Sequence, residues 1–453
     1  MSGERAQVEL LVRRLKERGD APALFWRGSE IACSRLLTEG DWKERLAELR
    51  VGQGSVCAFR GDYSPTTCAL MLALMRVGAI LVPFARSAPL DPALMRIGAV
   101  ERLIEIDADD HVTATREYAS GGDRLLDSFR SSKHSGLIVF SSGSTGAPKG
   151  IVHDMERVLK KFEEPRTAQR TLQFLLLDHF GGINTLFSVL SFGGVVVIPD
   201  ERSPGHVAKL IESARVELLP VTPTFLKLFV ASGAHRRHDM SSVKLITYGT
   251  EVMPEATLAQ VRAAFPNARL QQTYGLSEVG VLRSRSRDSD SVWMRVGGTG
   301  FETRIVDGLL HVRSDYAMVG YLNAPDPFDE AGWLNTGDMV VQDGEWLRVL
   351  GRASDMINIA GQKVFPAEVE DVLMQAGNIV DATVRGEPHP LLGNIVVAEL
   401  TLASPEDETA LRQRLRKFCR SRMAAYKVPM RIEATLEVHH TERFKKVRPK
   451  SAG

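Results

Sequence analysis

The chain has 453 residues, with 57 Lys+Arg against 56 Asp+Glu and a formal net charge of +1. Hydrophobic residues at 44% and charged residues at 25% describe a folded globular protein of roughly two to four domains. That balance excludes long disorder and gives no bulk electrostatic reason to expect nucleic acid or an acidic membrane as partner.

In chain order, residues 1–20 form an amphipathic helical pattern without the apolar core of a signal peptide. The most apolar stretch, 66–84, is interrupted by Arg76 and closed by Pro83, too poor for a membrane span. Cys33, Cys57, Cys68 and Cys419 form no CxxC pair, so neither a thiolate zinc site nor a disulfide framework is expected, and the compartment is read as the reducing cytoplasm. Short β-rich runs at 137–140, 172–177, 194–198, 216–221 and 243–247 alternate with helical patterns at 154–162, 203–215 and 254–265. This alternation predicts an α/β fold of parallel-rich sheets with crossover helices, whose ligands bind beyond the carboxyl ends of the strands.

After Gly351 the texture changes. A strand at 355–359, a turn at Gly361, a helix at 366–376, strands at 379–385 and 394–402 and a helix at 406–424 make a compact α+β unit. The expected division is therefore a large domain, 1–351, and a small mobile domain, 355–453, with a hinge at about 351–355. The basic tail 443–450, the segment His235-Arg-Arg-His238 and the run 283–287 are read as solvated surface. His439 and His440, adjacent on a strand pattern, point to opposite faces, and no transition metal is assigned.

The strongest local signal is Phe140-Ser-Ser-Gly-Ser-Thr-Gly-Ala-Pro-Lys149-Gly150, directly after an apolar strand. Ser141, Ser142, Gly143, Ser144, Thr145 and Gly146 supply hydroxyls and exposed N–H groups that can wrap polyphosphate oxygens, and Lys149 adds a point charge. It is not a Walker A loop, because Pro148 precedes the lysine where glycine is required.

This segment resembles the phosphate loop of the adenylate-forming superfamily of acyl-CoA synthetases, peptide-synthetase adenylation domains and luciferases, and further motifs follow in order. Tyr248-Gly249-Thr250-Glu251 is similar to the adenine-contacting turn. Gln272-Thr-Tyr274-Gly275-Leu-Ser277-Glu278 resembles the YGxTE motif with serine for threonine, and Asn335-Thr-Gly-Asp338 resembles the TGD motif. Gly351-Arg352, Asp355 and 361–370 resemble the hinge and the start of the small domain, and 425–429 the last core segment. The likeness runs from about Val51 to Arg448.

The resemblance implies an AMP-forming acid–thiol ligase. A carboxylate would attack the α-phosphorus of ATP, and the acyl adenylate would pass to the thiol of coenzyme A or of a carrier-protein phosphopantetheine. It implies Glu278 as Mg²⁺ ligand, Ser277 near the phosphates, Asp338 and Arg352 at the ribose, Tyr274 on adenine, and Gly361 in a pantetheine tunnel. The small domain's lysine is Lys446 or Lys445, Lys446 being favoured because Val447 follows it, although Phe444 or Lys445 stands where the pattern has glycine. Ser354 occupies the hinge position. Asp178, His179, Phe180 and Gly181 match the segment flanking the acid, with His179 near the carboxylate. Phe180 stands where amino-acid-activating relatives carry an aspartate, so an ordinary aryl or medium acyl acid is favoured over an amino acid, for which the adjacent Asp178 is the alternative counter-ion, and Gly249 and Gly275 suggest room for the acyl group. The rival reading is a nucleotide-binding relative without turnover, acting as a regulatory or scaffold protein.

Overall fold

The computed structural model describes residues 5–38, 42–119, 121–141 and 148–436. Two seven-stranded sheets form the bulk of the molecule. In one, Val56–Gly61, Ile80–Ala85, Arg102–Ile106 and Gly136–Ser141 run parallel, flanked by antiparallel strands. In the other, Pro22–Trp26, Val195–Ile198, Arg170–Leu172, Leu218–Val221, Leu245–Tyr248 and Arg269–Gln272 are parallel, with Ser29–Ala32 antiparallel at the edge.

The parallel strands read as unbroken apolar runs because both faces are covered. Cys57 and Phe59 enter a core shared by the two sheets, while Val56 and Ala58 enter a second core on the outer face. Val196 and Ile198 join the shared core, whereas Val197 faces a third one. The apolar stretch 66–84 resolves into helix Pro65–Val77 and strand Ile80–Ala85. Ser64 caps the helix by accepting from Thr67 N–H, and Gly78 ends it in the left-handed region at φ 77°. No helix among the described residues is long and apolar enough to cross a membrane.

Two local expectations differ. The run 172–177 keeps its strand only through Leu172, after which Phe174 C=O accepts from the Arg202 side chain and the Gln173 amide donates to Gly182 C=O. The chain leaves the sheet there to approach the helix Phe180–Ser191, although Phe174 and Leu177 still bury. Residues 284–352 build a six-stranded antiparallel sheet that the strand–helix alternation did not announce. Its strands bury one face only, as the alternating exposure along Phe301–Val306 and Leu334–Asp343 reflects.

Beyond Arg352, helix Pro366–Met374, strands Ile379–His389, Gly393–Leu402 and Arg431–Thr435 and helix Glu408–Arg420 enclose a core of their own. This unit leans on the larger one through Lys227 with Asp381, and through Ala256 N–H donating to Asp371 at 3.1 Å.

Gly182 marks the tightest approach near the cleft, since a Cβ there would lie 2.2 Å from Leu176 O and 2.8 Å from Leu175 O. Gly182→Ala should cost about 3 kcal/mol and lower the thermal midpoint. Gly377→Ala, with nothing within 4 Å, should stay within about 0.5 kcal/mol of the parent. Equal midpoints for the two variants would contradict this packing.

Candidate active site

Strands Gly136–Ser141 and Lys149–Asp154 pair antiparallel, with Ser141 opposite Lys149. That register brings both ends of the Ser/Gly loop to the wall of one cleft of about 780 Å³. Ser142, Gly143, Ser144, Thr145 and Gly146 lie outside the described residues, as do His439, His440, Lys445 and Lys446. Gly249, Thr250, Glu251, Tyr274, Gly275, Ser277, Glu278, Asp338 and Arg352 line the same cleft, together with Asp178, His179, Phe180 and Gly181. Ala367, Glu370 and Met374 of the smaller unit close one side. Gly361 is not among the lining residues; with Ala360 at φ 47° and Gly361 at φ 87°, it forms the two-residue turn joining Ile357–Ile359 to Gln362–Val364.

Near the loop exit, Tyr321 organises the charges. Its hydroxyl donates to Glu278 Oε1 at 2.6 Å, and its ring lies 4.8 Å below the Lys149 ammonium. Burial and the Glu278 carboxylate push the Tyr321 phenol upward, so it remains a donor. Asn323 clamps the loop's end, donating to Pro148 C=O at 2.8 Å and accepting from Gly150 N–H at 3.0 Å. Sequence reasoning missed both residues. Their only signal is the pairing of Gly320–Tyr321 with Lys149–Asp154, a long-range register.

At the other wall, Asp338 and Arg352 are cross-strand partners, with Arg352 Nε 3.5 Å from Asp338 Oδ1. Tyr274 Oη donates to Asp338 Oδ2 at 2.6 Å. Burial raises the Asp338 carboxyl, opposed by the Tyr274 hydrogen bond and the Arg352 charge. The tyrosine phenol is itself driven well up by burial and by Asp338. Glu251 accepts from Thr224 N–H and Oγ1–H at 3.2 and 2.7 Å, tying the turn at Gly249 to the start of helix Pro223–Ala231. Thr250 is held at φ 71°, a costly conformation for a β-branched residue and a mark of a constrained turn.

His179 caps helix Phe180–Ser191, its Nδ1 accepting from Gly181 N–H at 3.1 Å. Nδ1 is therefore unprotonated, and the neutral ring carries its proton on Nε2 as a donor. Phe180 stacks on the buried His153 ring at 4.3 Å, and burial drives that histidine's pKa down to about 3. The glycines require a different explanation from spare room. A Cβ at Gly249 would meet Thr273 Oγ1 at 2.5 Å, and one at Gly275 would meet Gly280 O at 2.6 Å. Close backbone approach excludes side chains there.

Among the described residues no group of three or more His, Cys, Asp or Glu is placed to hold a metal. Glu278 would be the carboxylate to hold a divalent ion here, a hard oxygen donor of the kind Mg²⁺ favours.

Residues 13–322 match the family described as AMP-binding enzyme, and 368–445 match the AMP-binding enzyme C-terminal domain. An indoleacetate–CoA ligase of Aromatoleum aromaticum is 29% identical over 324 residues, 65% of this chain and 62% of that protein. A 2,3-dihydroxybenzoate-AMP ligase of Bacillus subtilis is 31% identical over 270 residues, 55% of this chain and 49% of that protein. The chain thus spans less than two thirds of these relatives' length. An anthranilate CoA ligase solved in complex with anthranoyl-AMP shares the fold at a TM-score of 0.82, with 22% identity over 97% of this chain and 95% of that one.

Tyr274→Phe removes a hydrogen bond that favours the ionised form of Asp338, so the carboxyl should titrate still higher. Carbon-13 NMR titration of the Asp338 carboxyl reads this directly. An unchanged or lower value would show that the hydroxyl does not stabilise the carboxylate.

Proposed function

This chain belongs to the AMP-binding enzyme family, and from that membership and the contents of the cleft we propose that it activates a carboxylic acid with ATP and passes the acyl group to a pantetheine thiol. The observation that carries the reading is the shared cleft. It joins a loop-exit cation (Lys149), a carboxylate fit for a hard ion (Glu278), a diol acceptor (Asp338) and a neutral imidazole donor (His179). In the first step a carboxylate oxygen attacks the α-phosphorus, and pyrophosphate leaves with the electron pair of the broken P–O bond. In the second the thiol sulfur attacks the acyl carbon, AMP leaves, and the thiol proton is lost to solvent. Held at Glu278, Mg²⁺ would supply neutralisation of the phosphate charge.

The protein's part is positioning and charge complementarity. Lys149 and the Ser141–Gly146 hydroxyls and N–H groups hold the polyphosphate. Ser277 adds a hydroxyl there, and Glu278 would hold the Mg²⁺ ion. Asp338 accepts from the ribose hydroxyls with Arg352 beside it, Tyr274 and the 249–251 turn hold the base, and His179 Nε2–H orients the acid. An aryl or medium acyl acid fits Phe180 where an ammonium would need a counter-charge, and the relatives' names point the same way. The thiol belongs to coenzyme A or to a carrier protein. Four buried free cysteines suit a reducing cytoplasm.

We also propose domains 1–351 and 355–453 with the hinge at 351–355, where Gly351 holds φ 140° before the short turn Ala353–Asp355. Since Gly361 stands off the cleft while helix Pro366–Met374 lines it, thiol delivery would require the smaller domain to turn and release Lys227 from Asp381.

Carboxylic acid panels should support pyrophosphate–ATP exchange and AMP formation; no exchange with any acid, or ADP as product, contradicts the proposal. Lys446→Ala should reduce adenylation at least about 100-fold while sparing transfer from preformed adenylate; that pattern in Lys445→Ala instead would reassign the lysine. Gly361→Trp should spare exchange and abolish thioester formation, and equal loss of both would refute the tunnel role.

A further inference from the structure

The cleft reaches Asn184 and Thr185 on helix Phe180–Ser191 and Val281 beyond Glu278. Lys161, the residue after helix Met155–Lys160, stands behind them. Its ammonium donates to Asn184 Oδ1 at 3.1 Å and to the Val281 carbonyl. An ammonium can only donate, so this bond orients the Asn184 amide with its oxygen toward Lys161 and its NH₂ group away from it. Asn184 lines the cleft and Lys161 does not, so the face offered to a ligand is the donor face.

The surroundings of Lys161 reinforce that polarity. Among the described residues its hydrogen-bond acceptors are two neutral oxygens, and the charges acting on it, Arg166 and Arg283, are both cations. Aromatic rings of Phe162 and Phe301 stand 5.6 and 5.8 Å from the ammonium. Arg283 Nε is buried without a hydrogen-bond partner among the described residues. Burial first, then the two arginines, lower the Lys161 pKa to about 7. Near neutral pH the group is therefore charged only part of the time, and an anion brought into the cleft would favour its charged form.

Resting on the ligase reading above, we infer that the acid carries a second anionic oxygen group at the end remote from the carboxylate that is activated. Asn184 Nδ2–H receives that group by hydrogen bond, and Lys161 is a positioning residue that fixes the amide and, in its protonated form, supplies the positive field. The substrate class is thus a dicarboxylic acid, or an aryl acid with a distal carboxylate or phenolate.

The test compares AMP formation for acid pairs of equal shape, one member ending in carboxylate and the other in methyl. The parent enzyme should prefer the carboxylate member by about 10- to 100-fold in kcat/KM, mostly through KM for the acid. Asn184→Leu and Lys161→Met should each erode that preference at least tenfold, again through KM rather than kcat. Should Lys161→Met not fold, Asn184→Asp keeps an acceptor for the lysine while turning an acceptor into the cleft, and it should reverse the preference. Equal use of both members by the parent, or equal loss of both in Asn184→Leu, overturns the inference alone. AMP formation with no acid at all overturns the ligase reading together with it.

Discussion

An ammonium and a carboxylate held near one another but kept from neutralising each other is the condition on which this cleft depends. Tyr321 achieves it, with Lys149 over its ring at 4.8 Å and Glu278 at its hydroxyl at 2.6 Å. A direct ion pair would satisfy both charges internally. With a tyrosine between them, the cation would keep its donors for phosphate oxygens and the carboxylate an oxygen for a hard ion, as the proposed function requires. On the far wall Tyr274 and Arg352 both favour the ionised form of Asp338, against the burial that raises its carboxyl.

The placement of these groups follows from the sheets. Ser141 and Lys149 face each other because two strands are in antiparallel register, and Asp338 meets Arg352 for the same reason in another sheet. His179 lies at the start of a helix whose second residue, Gly181, has no Cβ; one there would come within 3.1 Å of the imidazole Nδ1. The chemistry therefore sits on strand ends and a helix cap, the rigid positions at which α/β folds gather ligands.

Much of this was legible in the sequence. The parallel strands are unbroken apolar runs, and Ser64-Pro65 and Gly78 bracket a helix by local rules. The Ser/Gly loop, Glu278, Asp338 and His179 belong to short motifs whose order pointed to one site, and Glu278, Asp338, His179 and the loop's flanking residues Ser141 and Lys149 do line one cleft. What escaped is non-local. Tyr321 and Asn323 reach the loop exit only through a strand pairing more than 160 residues distant in sequence. Lys161 carries no local signal, because the groups it meets, Asn184 and the Val281 carbonyl, come from distant parts of the chain. The antiparallel sheet of 284–352 has half-polar strands with weak local signal, and the glycines at 249 and 275 read as space when backbone neighbours exclude a side chain.

The central claim, that a carboxylate oxygen becomes bonded to the α-phosphorus in this cleft, is most directly tested by isotope transfer. With an acid labelled by oxygen-18 in its carboxylate and a single turnover in the presence of a thiol, the account predicts one labelled oxygen in the phosphate of AMP and none in pyrophosphate. Label in pyrophosphate, or AMP released without label, would contradict it.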